Sequence, residues 1–283
     1  GNDVAMWPAS LGCYDLWVRW WRFSSGSAGF VRMSSTMSNM VSDNTTTAGI
    51  FDPRAYLFVT TNQAGNWAPY TIGVSTGDGI NAYFSPTDPT QKNDCIYSPL
   101  NWYLIRDEWY IPEPIMTSAE VHFLKAEAYA RGLGVTQSLS TAQTEYQAGI
   151  TSSVNFWYNI AAKTNDASEN WSAVAPPPPT TAQMNTLFTN PKVAFSGSSA
   201  DALKKIYAQE WLSFFRQPWL AFNLWRRTGN TPIDPNSNPP SSNTTFYRLP
   251  YAQDEAVNNS DNYNAQISKM GGNNSNVKVW WMP

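Results

Sequence analysis

The feature that most constrains the fold is a helical pattern in residues 114–131. Apolar and small side chains recur there at helical spacing and line one face: Met116, Ala119, Phe123, Ala126 and Ala130. Thr117 and Glu120 have the spacing of a capping box, and Gly132 and Gly134 stand where a helix would end. The pattern predicts an amphipathic helix over about residues 117–131.

Further helices are predicted downstream of this one. The segment from about 141 to 161 has Ser140 and Gln143 as its capping box, and its stripe is Tyr146, Ile150, Val154, Trp157 and Ala161. The segment from about 199 to 216 has a face made of Leu203, Ile206, Glu210 and Phe214. Pro218 fits the first turn of a last helix, 218–227, which Gly229 would end. Paired helices joined by short turns are typical of tetratricopeptide-like repeats.

The chain, residues 1–283, is interpreted as one mostly α-helical domain with three parts. Residues 51–113 are punctuated by Gly and Pro and predict an irregular, loop-rich lobe with a few short strands, from apolar runs such as 55–60. Residues 114–230 form the helical core. Residues 231–283 are rich in Asn, Pro and Ser, and we expect this tail to wrap the helices.

Composition excludes several classes of function. Only 14% of the residues are charged and the net charge is −3, so there is no basic patch for nucleic acid or anionic lipid. No apolar run reaches the about 18 residues of a membrane span. Cys13 and Cys95 lack CxxC spacing, which argues against a metal or redox motif and leaves both a disulfide and free thiols open.

Catalytic signals are weak. The single histidine, His122, lies inside the first predicted helix, where a structural or surface role is the ordinary one. Asp107, Glu108 and Glu113 offer carboxyl groups for glycoside hydrolysis, but their spacing is generic.

No metal site is predicted either. Asp78, Asp88 and Asp94 lie in one loop region but lack the alternating spacing of a calcium loop, so we interpret them as turn formers.

The aromatic loops carry the strongest functional signal. An apolar sugar face stacks on Trp or Tyr rings, and its hydroxyl groups bond to amide side chains. Such residues adjoin one another in the loop-rich lobe, and the candidate ligand-binding residues are Asn66, Trp67, Tyr70, Asn101, Trp102 and Trp109. For each ring, packing in the core is the alternative.

Several segments together resemble the SusD/RagB family of outer-membrane nutrient-binding lipoproteins. They are Ala119-Glu-Val-His-Phe-Leu-Lys-Ala-Glu-Ala128, Ile206-Tyr-Ala-Gln-Glu-Trp211, Trp225-Arg-Arg-Thr-Gly229 and the pair Trp280-Trp281. The resemblance implies a SusD-like helical fold, with this chain as the C-terminal part of a longer one. It also implies that Arg226 and Arg227 are structural and pair with acids such as Glu210, and that the terminal Trp pair is held against the helices.

The same resemblance implies binding of a nutrient, with oligosaccharide as the favoured cargo, and neither catalysis nor a cofactor. The implied partner is a SusC-like TonB-dependent transporter, and the implied location is the outer face of the outer membrane, through an N-terminal lipid anchor that this chain lacks. In family members that bind glycans, an aromatic platform lies upstream of the helix that corresponds to residues 117–131 here. Trp67 and Tyr70 occupy that upstream segment. Peptide binding, as in RagB-like members, and glycoside hydrolysis remain the alternatives.

Overall fold

The computed structural model describes residues 3–6, 32–43, 49–70, 97–101, 103–106, 111–163, 171–229 and 247–282. Cys13, Cys95, Trp102, Asp107, Glu108, Trp109 and the three loop aspartates lie outside these ranges, as do the predictions made for them.

The described part is mostly helical, as predicted. Its elements in chain order are strand β1 (Val4–Met6), helices α1 (Ser35–Val41), α2 (Ala55–Phe58) and α3 (Tyr103–Arg106), strand β2 (Glu113–Met116), and helices α4 (Ser118–Arg131), α5 (Leu139–Lys163), α6 (Trp171–Val174), α7 (Thr181–Thr189), α8 (Ser199–Ser213), α9 (Pro218–Thr228), α10 (Gln253–Asn258) and α11 (Ser260–Met270). Strands β1 and β2 pair antiparallel, with Ala5 opposite Pro114.

Helices α4 and α5 form a hairpin along one buried seam. The Oγ1 of Thr117 accepts a hydrogen bond from the Glu120 amide at 3.2 Å, and Gly132 ends α4 with φ 73°, so both predicted ends are confirmed. Gly149 of α5 faces Phe123 so closely that a Cβ atom would lie 2.8 Å from the ring. The glycine therefore allows the fully buried ring to rest against the α5 backbone.

Helix α5, predicted to begin at about residue 141, begins two residues earlier. Its predicted stripe, from Tyr146 to Ala161, is buried as expected. The hydroxyl of Ser138 accepts from the amide of Thr141 at 3.2 Å, and the helix begins at Leu139. The predicted capping box of Ser140 and Gln143 is therefore wrong, because a capping hydroxyl was available one half-turn earlier.

Helix α8 packs against both helices of the hairpin and leads into α9. Pro218 begins α9 and Gly229 ends it at φ 64°, as predicted. In the turn between the two helices, the Phe215 ring stacks on Phe58 at 3.9 Å between centroids, and Trp157 meets both rings edge-on. These rings connect α2, α5 and the α8–α9 turn in one core.

In the described part of the irregular lobe, the apolar run 55–60 is not the strand that was predicted. The apolar run 55–60 gives the helical turn α2, and then Val59 forms a single bridge with Leu100. Other contacts of the lobe are also isolated bridges, Arg32 with Pro99 and Ser34 with Tyr70. The apolar run was too short for periodicity to separate a helix from a strand.

The tail packs on α9 but is more regular than its composition indicated, because it includes α10 and α11. Tyr247 stacks on Trp225 with centroids 5.5 Å apart, and the Arg226 guanidinium lies 4.6 Å from the centre of the Trp281 ring. Trp280 is 93% exposed. The expectation that both rings of the terminal pair are held against the helices is therefore wrong for Trp280.

Candidate functional site

A buried ion pair fixes the start of the irregular lobe. Arg54 is fully buried and donates to both carboxylate oxygens of Asp52, from Nε at 3.0 Å and from Nη2 at 2.6 Å. Its remaining donors bond to Ser153 of α5, at 3.1 Å, and to Gln209 of α8. The turn before α2 is therefore held in the helical core, and α2 is placed by it.

Helix α2 presents Tyr56 at the surface, against Trp67. The two rings meet edge-to-face, 5.6 Å between centroids and 76° between planes. Tyr56 is 39% exposed, and Trp67 is half-buried with one side packed against the core. Edge-to-face pairs are a favourable geometry and hold each ring in a defined orientation.

The turn before Trp67 is closed by the buried Asn62. The backbone N–H of Asn62 donates to the backbone carbonyl of Asn66 at 2.8 Å, and the backbone N–H of Asn66 donates to the side-chain Oδ1 of Asn62 at 2.9 Å. Gly65 has φ 79°, a conformation that favours glycine. The side-chain amide of Asn66 is half-buried and has no hydrogen-bond partner among the described residues. Asn66 directly precedes Trp67 in the chain, and its side-chain donors and acceptor are available.

Tyr70 belongs to a different aromatic pair. Its backbone is held by hydrogen bonds to Met33 at 2.8 Å and from Ser35 at 2.9 Å, and its ring meets Tyr97 edge-on at 5.2 Å. Trp67 and Tyr70 are thus three residues apart in one segment but contact different rings. We name Tyr56, Asn66 and Trp67 the Trp67 surface, and Tyr70 forms a separate ring pair with Tyr97.

Asn101 has a structural position. Its side chain is nearly buried, and its Oδ1 accepts from the Tyr103 amide at 3.1 Å, which satisfies the start of α3. It is not part of the Trp67 surface. Trp102 and Trp109, the other two candidates nearby, lie outside the described residues.

Two ring partners in this region were absent from the candidates named from sequence. Tyr56 and Tyr97 are brought beside Trp67 and Tyr70 by the α2 turn and by the chain pairing at Ser98. Tyr56 stands alone in a short apolar run, without the adjacent amide side chain that singled out the other candidates.

The residues considered for catalysis have structural partners where they are described. Glu113 pairs with Arg216 at 3.7 Å, and Nδ1 of His122 lies 2.6 Å from Oε2 of Glu145, between α4 and α5. Over the described ranges, no group of three or more His, Cys, Asp or Glu side chains is placed to hold a metal ion. The helices described here include none long and apolar enough to cross a membrane.

The paired helices and half-exposed rings define a helical-repeat protein with an aromatic surface on irregular segments. A SusD-like family model, described as "Starch-binding associating with outer membrane", matches residues 14–252. The chain belongs to this SusD-like family. No curated protein matches it.

Solved structures show the same fold. A SusD homologue from Bacteroides fragilis aligns with TM-score 0.60 at 21% identity, over 89% of this chain and 52% of its own. One from Parabacteroides distasonis aligns with TM-score 0.59 at 21% identity, over 99% and 57%. A chitin-binding SusD homologue from Flavobacterium johnsoniae aligns with TM-score 0.54 at 22% identity, over 88% and 49%. This chain thus spans about half the length of these relatives.

Proposed function

We propose that this protein binds an oligosaccharide at the Trp67 surface and does not catalyse a reaction on it. The observation that carries the proposal is the Tyr56–Trp67 ring pair, which is partly exposed beside the unpartnered amide of Asn66. The family description names starch, and one solved relative is called chitin-binding. Both point to glycans as the class of ligand.

The binding chemistry follows from the three side chains. An apolar face of a sugar ring would pack on the indole of Trp67, and the Asn66 amide would donate to and accept from its hydroxyl groups. The aromatic contact contributes on the order of 1 kcal/mol per ring, so one such surface gives modest affinity. Modest affinity suits a protein that must release its cargo.

Release would be to a membrane transporter. The family is described as associating with the outer membrane, and the resemblance given above implies a SusC-like TonB-dependent transporter as partner. We propose that the protein acts at the outer face of that membrane, lipid-anchored in its longer form, and delivers the oligosaccharide to such a transporter.

The test is a calorimetric titration of the chain with starch-type and chitin-type oligosaccharides and with a peptide digest. Trp67→Ala is expected to weaken oligosaccharide binding about fivefold, through loss of the stacked ring. Trp219→Ala is the matched control, because Trp219 is 76% exposed on α9 and outside the Trp67 surface.

Three results would overturn the proposal. Equal losses in Trp67→Ala and Trp219→Ala would show that the ring pair is not the site. Saturable binding of peptides without binding of any oligosaccharide would favour the RagB-like alternative, and release of shorter sugars during the titration would favour a hydrolase.

A further inference from the structure

A recess separate from the Trp67 surface lies between helices α4, α8 and α9. Its volume is about 330 Å³, and Trp281 of the tail forms part of its wall. Leucine and phenylalanine side chains supply much of the lining, from Leu124, Phe214, Leu220 and Leu224. The polar lining comes from Glu120, Glu210, Asn223 and Arg227. We name this recess the Glu210 pocket.

Two carboxyl oxygens in the Glu210 pocket are buried without a hydrogen bond. They are Oε2 of Glu210 and Oε2 of Glu120. The Glu210 side chain is only 3% exposed. A buried acceptor without a donor costs free energy that the fold does not recover by itself, so its retention calls for an explanation.

The nearby cation is already engaged elsewhere. Nη1 of Arg227 donates to both oxygens of Glu127, at 2.8 and 2.7 Å, whereas its Nη2 lies 3.8 Å from Oε2 of Glu210, beyond hydrogen-bond distance. The predicted pairing of this arginine with Glu210 is therefore only a distant one, because Glu127 takes its best donor. Glu210 keeps only this distant contact with Arg227, and neither its Oε2 nor that of Glu120 accepts a hydrogen bond.

These features select the chemistry of an occupant. Acidic groups disfavour an anion, and the largely apolar lining offers too few oxygens for a calcium ion, which takes about six to eight. A group that donates several hydrogen bonds and carries one positive charge on an apolar body fits both parts of the lining. We propose that the Glu210 pocket binds a primary ammonium group, with Glu120 and Glu210 as its acceptors and with Leu124 and Trp281 against its carbon skeleton.

Protonation of Glu210 gives the proposed binding a pH dependence. Burial raises the pKa of Glu210 to about 8, with Arg227 opposing the rise and Glu127 and Glu120 adding to it. These groups face it from α9 and α4. An ammonium ligand would favour the ionised carboxylate, so a proton leaves Glu210 on binding below about pH 8. Affinity is therefore expected to rise from about pH 6 to about pH 8, by up to tenfold per pH unit.

Lysine side chains and amino sugars both carry this group, and matched probes distinguish them. Calorimetry would compare Nα-acetyl-L-lysine amide with the norleucine analogue that lacks the ammonium group. It would also compare the disaccharide of glucosamine with its N-acetylated form. We expect at least one amine to bind saturably, one per chain, and about tenfold or more tighter than its neutral partner. The tighter amine identifies the source.

Variants test whether the pocket is the site. Glu210→Gln and Glu120→Gln should each weaken amine binding about tenfold, and Glu255→Gln, exposed on α10, should leave it unchanged. Leu124→Lys should abolish binding without unfolding the chain, because Leu124 is 42% exposed and one turn from Glu120, where a lysine would occupy the pocket with its own ammonium group. Melting temperatures check the fold of each variant.

Any of three outcomes would overturn the proposal. The first is equal binding of the neutral probes, and the second is binding of no probe. The third is amine binding that survives both Glu210→Gln and Leu124→Lys. The Glu210 pocket and the Trp67 surface share no residue, so failure here leaves the proposed oligosaccharide site untouched, and the reverse holds too.

Discussion

Arg227 of helix α9 donates hydrogen bonds to both carboxylate oxygens of Glu127 in helix α4, over 2.8 and 2.7 Å. Glu127 also accepts from Arg131 at 2.7 Å and from the Tyr207 hydroxyl of α8 at 2.8 Å. A single buried carboxylate thus joins three helices. Burial by itself would raise the pKa of Glu127, but the hydrogen bonds from Arg131, Arg227 and Tyr207 outweigh it and lower the pKa below its usual value.

Replacing the arginine should destabilise the fold. Arg227→Ala removes two charge-assisted hydrogen bonds and leaves Glu127 with Arg131 and Tyr207. The free energy of unfolding should fall by about 2 kcal/mol. Solvent screening limits the loss, because the Arg227 side chain is 38% exposed. Urea unfolding measures it. Lys204→Ala removes an exposed pair with Asp201 and should change stability by less than about 0.5 kcal/mol. Equal effects of the two variants would contradict a special role for Glu127.

Stability should depend on pH through Glu210. Its raised pKa, about 8, means that the folded protein keeps this proton where the unfolded chain has lost it. The stability it contributes is fully present below the ordinary glutamate pKa of about 4.3 and is lost as the pH rises through about 8. Relative to the parent, Glu210→Gln should therefore gain melting temperature as the pH is raised over this interval. A difference that does not vary with pH would be inconsistent with a protonated, buried Glu210.

The close contact of α4 and α5 predicts a cost for a single methyl group. Gly149→Ala would place a Cβ atom 2.8 Å from the fully buried Phe123 ring. The gain in helix propensity, about 1 kcal/mol, is smaller than the usual cost of overpacking, about 1–3 kcal/mol, so net destabilisation is expected. Denaturant unfolding of the double variant Phe123→Leu, Gly149→Ala gives the control, because the shorter side chain should absorb part of the strain. Strict additivity of the two substitutions would argue against the contact.

The turn that carries the Trp67 surface depends on Asn62. Asn62→Ala removes the side-chain oxygen that accepts a hydrogen bond from the backbone N–H of Asn66. Oligosaccharide binding should weaken several-fold, and the free energy of unfolding should fall by about 1 kcal/mol. Asn62→Asp keeps that acceptor and serves as the comparison. If Asn62→Ala bound oligosaccharide as the parent chain does, the geometry of this turn would not matter to the site.

The helices that were predicted are those whose signals are local. For α4, α5, α8 and α9 the apolar spacing lies within the helix, and α4 and α9 add a glycine stop directly after it, with a proline start in α9. Helices α10 and α11 escaped prediction because the segment is polar and its helices bury no complete side chain. A segment without an apolar stripe shows no hydrophobic periodicity, so its helices cannot be predicted from the sequence pattern.

The candidate site was predicted in its central ring but not in its partners. Trp67 and Asn66 are neighbours in sequence, so the pattern of an amide beside a ring was visible. The contact of Trp67 with Tyr56 depends on how the chain turns after α2, and the burial of Asn101 depends on its position at the start of α3. The Glu210 pocket is made by residues from three helices and the tail, and no local pattern encodes it.

The Asp52–Arg54 pair and the Phe58 ring anchor α2 from the side of the helical core. Arg54 bonds to Ser153 and Gln209, and Phe58 packs on Phe215 and Trp157. The Asn66 and Trp67 side chains come after α2 and share none of those bonds. If the Trp67 surface binds oligosaccharide as proposed, substitutions of the half-buried Asn66 should alter ligand preference without breaking the bonds that anchor α2, so one scaffold could serve different ligands.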